Sequence, residues 1–279
     1  MTRSCKPKEI FGESPVNLAA LYVSLHYVYG LTIEARSVFR RGVLPNIRSR
    51  TSGSVLAASL FLAQAHAAYG GEIDALLFGS LDAGAATFLT VGAKLGLGSL
   101  DQDGFVMLAS AGSGRQRERG DFGLPRTRYT FSAAAVLGYQ WFFDWGTAAI
   151  FAGPEGAIEM LADRRALAVF PATYGARLHA EIWARPTEDT LLQATGIAGS
   201  TRGSLWSRLA WGYRAWGAYL GPELSVYGDD TGYRKWNLGL HATDFAIARY
   251  SFRVSAGLQT ETGRRSAVPY VALAVWSPW

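Results

Sequence analysis

The chain has a single cysteine, Cys5, in 279 residues, so a disulfide framework and a cysteine-built metal site are both excluded. Histidine is scarce too: only His179 and His241 follow residue 67, and neither sits at a characteristic spacing from a nucleophile. Phosphate loops, dinucleotide fingerprints and metal-ligand clusters are missing, because the glycines fall at strand spacing. No mature stretch approaches the ~20 continuous apolar residues of a membrane-spanning helix. Excess charge is also absent from most of the chain. Residues 1–67 carry eight Lys or Arg against Glu9, Glu13 and Glu34, which accounts for the whole formal charge of +5; residues 68–279 carry 19 of each sign. The basic pI is therefore a property of the leader and does not point to nucleic acid.

What is abundant is glycine (32), tryptophan (9) and tyrosine (13), the mixture of small and ring-bearing residues found in barrels with aromatic girdles. The last eleven residues are the clearest segment. Val271, Leu273 and Val275 share one register with the terminal Trp279, and Tyr270, Ala272, Ala274 and Trp276 share the other. A period of two with one apolar face describes a strand. An aromatic-ended final strand is typical of bacterial outer-membrane barrels, so residues 269–279 are expected to be the closing strand, paired with 73–82 and 247–259.

The leader, residues 1–67, contains Arg48 and Arg50, then the short apolar run Val55–Ala63, then Ala65-His66-Ala67. That is the layout of a signal peptide over about 46–67, cleaved after Ala67 and directing export. Its distance from Met1 points to a translation start inside the leader, near Val38 or Val43. A membrane segment over 16–33 is the competing reading, weakened by Asn17, Ser24 and His26.

The remainder, 68–279, is expected to form one all-β domain, an antiparallel up-and-down transmembrane β-barrel. Twelve strands are predicted at 73–82, 86–97, 104–114, 127–142, 147–159, 173–184, 188–199, 203–214, 217–227, 233–243, 247–259 and 268–279. Short turns then fall on the side of the termini, and the longer loops 115–126, 160–172 and 260–267 fall on the other, the usual asymmetry of such barrels. Arg115-Gln116-Arg117-Glu118-Arg119 reads as a solvated loop tip, with contact to anionic lipopolysaccharide or an extruded polysaccharide as the functional alternative. A sequence echo, Leu137-Gly138-Tyr139 with Gly153-Pro154-Glu155 and Trp211-Gly212-Tyr213 with Gly221-Pro222-Glu223, predicts two hairpins of one design, each bent at a mid-strand proline on the lipid face.

Alternation points a polar face inward. On it fall Lys94, Glu155, Arg177, His179, Glu181, Arg208, Arg214, Glu223, Arg249 and Arg253, both signs together, as expected of a lumen ion-pair network. Two readings stay open: the charges plug a narrow barrel, or they form a constriction selecting a polar solute. His179 and His241 read as lumen hydrogen-bonding residues, so catalytic, metal and cofactor roles are not expected.

With the strands in place, the chain resembles the cellulose biosynthesis protein BcsS family of alphaproteobacteria. The resemblance runs through Asp103-Gly104-Phe105, Leu137-Gly138-Tyr139-Gln140-Trp141, Gly212-Tyr213-Arg214, Gly221-Pro222-Glu223 with Tyr227-Gly228, Leu238-Gly239-Leu240-His241 and Ser255-Ala256-Gly257-Leu258. It implies an outer-membrane location, lipid contact, and a non-catalytic accessory or scaffold role beside cellulose synthase machinery or its glucan chain. A small solute-selective porin and an outer-membrane enzyme are the rival functions.

Overall fold

The computed structural model describes residues 74–119, 125–163 and 166–279. The expected leader, with its signal peptide and internal start, lies outside these residues.

Strict alternation along the chain produces thirteen strands: β1 (Ala75–Ala83), β2 (Ala86–Gly96), β3 (Gly104–Arg119), β4 (Pro125–Phe143), β5 (Gly146–Ala162), β6 (Leu167–Val169), β7 (Thr173–Thr187), β8 (Thr190–Gly199), β9 (Ser204–Ala215), β10 (Ala218–Gly228), β11 (Arg234–Ile247), β12 (Tyr250–Glu261) and β13 (Val268–Pro278). Twelve of them form one antiparallel ring in chain order, and β6 is a three-residue spur on β5 beyond the predicted set. The ring closes where β13 pairs with β1, from Leu76 opposite Pro278 to Ala83 opposite Val271, with β12 on its other side. The amide of Trp279 donates to the carbonyl of Ala75 at 2.8 Å, so the ladder runs past Pro278 despite its missing N–H.

Outward positions are aliphatic through the middle of the wall: Ile150, Ile182, Leu209, Leu238, Leu240, Leu258 and Leu273 are all exposed, Leu240 at 67%. Aromatic side chains gather toward the ends, with Phe105 against Tyr139 and Tyr139 against Trp141 at the rim that holds the termini. Trp236 and Tyr174 stand exposed near the opposite rim. At the terminal rim four connections are tight, at 144–145, 188–189, 216–217 and 248–249, and Trp216 and Gly217 both adopt positive φ as a two-residue hairpin turn requires. The opposite rim, called the loop rim below, carries most of the longer connections.

Two expectations are corrected. Residues 115–119 are not a loop: they extend β3, pairing with 125–129, because Glu118 faces inward and binds Arg128 at 3.1 Å. The interior is not uniformly polar, since Val106, Leu108, Val136 and Phe151 form a buried apolar cluster on the β3–β5 side, with Phe78 and Leu100 packed on it. The residues of the β2–β3 connection fold onto this cluster, tied by Gln140 to the carbonyls of Leu100 and Gln102 at 2.9 and 3.1 Å.

The two predicted proline bends are present as matched breaks. Between β4 and β5 the ladder skips Gly153 and Pro154, and between β9 and β10 it skips Gly221 and Pro222, with register kept on either side. The strands pinch together there. A Cβ on Gly153 would lie 2.5 Å from the carbonyl oxygen of Ala135, and one on Gly221 would lie 2.0 Å from that of Trp211.

Gly138 shows the same constraint in the apolar cluster, where a Cβ would stand 2.1 Å from the Ile150 carbonyl oxygen and 2.4 Å from the Phe151 ring. Gly138→Ala is expected to destabilise the barrel by ~1–3 kcal/mol through overpacking. The check is the urea midpoint for loss of the fast-migrating folded band on unheated gels; an unchanged midpoint would contradict the close packing.

Candidate functional site

Among the described residues the predicted charges converge in the lumen, and its geometry follows from strand register. Near mid-height, Arg208 of β9 reaches Glu223 of β10, with Nη2 at 2.6 Å and Nε at 2.7 Å, and the same carboxylate oxygen accepts from Ser255 Oγ at 2.9 Å. Arg208 Nη1 also donates to Gln193 Oε1 at 3.0 Å. Both charged side chains are 4% exposed. Gln193 and Ser255 meet part of the pair's remaining hydrogen-bonding capacity, which a buried ion pair needs to offset its desolvation. Arg253 enters the same space from β12, its Nε buried without a hydrogen-bond partner.

Lys94 and Glu181 form an ion pair between β2 and β7, a chord across the bore and not a contact between neighbouring strands. His179 stands one inward position from Glu181, its Nε2 3.7 Å from the carboxylate and its ring 5.4 Å from that of Phe151. Nearer the loop rim, Arg177 Nε donates to Glu155 at 3.0 Å, and Glu155 also accepts from the amide and hydroxyl of Thr201 at 3.1 and 2.8 Å. His241 Nδ1 lies 2.7 Å from Thr243 Oγ1, and its Nε2 lies 3.1 Å from the carbonyl oxygen of Trp211.

Two predicted members do not belong to this set. Arg214 lies exposed at the terminal end of β9, and Arg249 lies exposed in the β11–β12 turn, stacked on Tyr250 at 5.2 Å. Alternation gives both a lumen face, but Arg214 is the penultimate residue of β9 and Arg249 lies between β11 and β12, where the wall no longer encloses a side chain. The structure adds residues that the sequence reading omitted. Arg202, in the β8–β9 turn, folds in to bind Glu159 at 2.7 Å and Asp229 at 2.8 Å; Arg128 binds Glu118 and Glu159; Lys235 binds Asp82 at 3.1 Å. Arg128 and Lys235 were readable from their inward parity. Arg202 carried no signal, because a turn residue has no assigned face.

One contact shows how narrow the bore is. Trp183 on β7 and Trp276 on β13 meet edge to face with ring centroids 5.9 Å apart, although their strands lie six places apart around a ring of twelve. They are diametrically opposite. Close by, Arg185 of β7 spans to Asp244 of β11 at 2.8 Å at the terminal rim.

Ring closure without an edge, an aliphatic outer belt between aromatic ends, and a lumen laced with ion pairs define a transmembrane β-barrel of twelve strands. The model for the cellulose biosynthesis protein BcsS family matches residues 76–279, and the chain belongs to that family. No curated protein matches it. Solved structures similar in fold include a KdgM porin (9% identity, TM-score 0.38, covering 72% of this chain and 98% of the porin). The translocator domain of the autotransporter NalP from Neisseria meningitidis is similar at 13% identity and TM-score 0.42, covering 81% and 96% respectively. The β domain of the Bordetella autotransporter BrkA gives 11% identity and TM-score 0.40, covering 74% and 98%.

Removing one partner of the central pair separates pairing from burial. Arg208→Ala removes the guanidinium that binds Glu223 directly and is expected to cost ~3–5 kcal/mol, whereas replacing the whole buried set, Arg208→Met with Glu223→Leu and Arg253→Met, is expected to stay near wild-type stability. Equal losses in the single and triple variants, read from urea unfolding in lipid vesicles, would show that the charges are not what holds this layer.

Proposed function

We propose that this protein is an outer-membrane barrel with a non-catalytic accessory or scaffold role in bacterial cellulose biosynthesis or export. Membership of the BcsS family supports the pathway. The loop rim faces outward in this reading, because outer-membrane barrels keep short turns on the periplasmic side and longer loops outside.

The observation that carries the accessory role is the Trp183–Trp276 contact across the full bore. An extended glucan chain needs a continuous passage, and here two indoles, the Lys94–Glu181 chord and the Val106–Phe151 cluster occupy it. Polymer is therefore expected to leave by another route, with this barrel beside it as a partner of the synthase machinery. A catalytic role has little to stand on: both nitrogens of His241 are engaged by Thr243 and the backbone, and His179 faces Phe151 and Glu181 instead of a nucleophile.

Two measurements test this. Deleting the gene is expected to remove surface cellulose, read by dye binding, while small-solute uptake stays unchanged; unaltered cellulose would sink the proposal. In planar bilayers the wild-type protein is expected to be silent, and Trp183→Ala with Trp276→Ala to stay silent too, because the Lys94–Glu181 chord and the Val106–Phe151 cluster still occupy the bore. Steady open currents from the wild type would favour a solute-selective porin.

A further inference from the structure

The outer surface at the loop rim carries a basic recess that neither the ring nor the lumen network uses. β1 and β2 turn back at Gly84 and Ala85, while their neighbours continue. Ala86 is opposite Gln116, so Arg117 and the residues after it rise above β2; on the other flank Ala83 is opposite Val271, so Val268–Tyr270 rise above β1. The result is a notch of about 440 Å³, with Arg115 and Arg117 on one wall and Arg264 and Val268 on the other.

Register decides which way the arginines point. Gly114 faces inward, since a Cβ there would meet the Phe88 ring, so Arg115 and Arg117 project from the outer surface, and both are exposed. Among the described residues neither has a carboxylate partner; Glu118, the nearest in sequence, turns inward to Arg128. Arg264 shares Glu261 at 2.9 Å and remains 40% exposed.

Height along the wall identifies what they meet. Ser113, the outward residue before Arg115 on β3, is opposite the exposed Leu89 of the apolar belt. Arg115 therefore lies ~7 Å further along the strand than the row of Leu89, toward the loop rim, and Arg117 another ~7 Å beyond it, at 3.3–3.4 Å per residue. Unpaired guanidinium groups at the edge of a hydrocarbon belt, in a recess open sideways, match a phosphate on a lipid headgroup, which arginine binds through paired N–H donors. A neutral glucan offers no anion to such a site.

We propose that this notch binds the phosphate of an outer-leaflet lipid headgroup, with Arg115, Arg117 and Arg264 as the donors. The assignment rests on the outward orientation of the loop rim given above. The full chain is folded into phosphatidylcholine vesicles doped with bisphosphorylated lipid A, and in parallel into vesicles doped with dephosphorylated lipid A. Heat-modifiable gel mobility establishes folding, and the temperature at which the folded band is lost is the readout.

The phosphorylated lipid is expected to raise that temperature in the wild type, and Arg115→Glu with Arg117→Glu to abolish the rise; Arg115→Gln with Arg117→Gln, which adds no charge, serves if the reversal does not fold. No rise in the folded wild type overturns the site. An equal rise with dephosphorylated lipid A, with inorganic phosphate in plain vesicles, or with cello-oligosaccharide overturns the lipid phosphate as occupant. Failure of the wild type to fold in any of the vesicles counts against the membrane location itself, and the notch assignment falls with it.

Discussion

Closure of the hydrogen-bond ladder between β1 and β13 is the constraint from which the rest follows. A sheet in hydrocarbon cannot leave N–H and C=O groups at an edge, since each unpaired group costs several kcal/mol with no water to relieve it. The ring from Leu76 opposite Pro278 to Ala83 opposite Val271 removes both edges at once. Once it is closed, every residue has only two destinations, and the alternation seen in the sequence becomes an assignment to lipid or to lumen.

The inward half of that assignment creates the second problem, which is how to fill a cylinder with side chains that polar alternation supplies. One wall, β3 to β5, solves it with Val106, Val136 and Phe151. The rest solve it with charge, each carboxylate held by an arginine or lysine reached across a neighbouring strand or across the bore, as Glu223 is by Arg208 and Glu181 by Lys94. Because the opposing signs balance locally, the interior can be packed and charged together. The Trp183–Trp276 contact completes the packing near the terminal rim.

Much of this was legible in the sequence. A period of two survives any local propensity, so the closing strand, with Val271, Leu273 and Val275 outward, and both Gly-Pro-Glu bends could be read directly. The misplacements share a cause. The run from Arg115 to Arg119 looked like a solvated tip because charge density was taken as exposure, yet a strand above the hydrocarbon belt can be charged on both faces. Arg214 and Arg249 have inward parity but sit at the terminal rim, Arg214 among the last residues of β9 and Arg249 in the β11–β12 turn, where side chains reach solvent. Arg202 was invisible because its inward turn depends on where Glu159 and Asp229 come to rest, which is tertiary information.

The paired ladder breaks at Gly153-Pro154 and Gly221-Pro222 divide the wall in a way that the strand count alone conceals. They fall on the β4–β5 and β9–β10 seams, each missing two rungs, so β5, β7, β8 and β9 lie between the breaks and the other eight strands lie outside them. Trp183 stands on β7, inside that group, and Trp276 on β13, outside it. The indole contact across the bore therefore ties together the two parts of the wall that the breaks set apart.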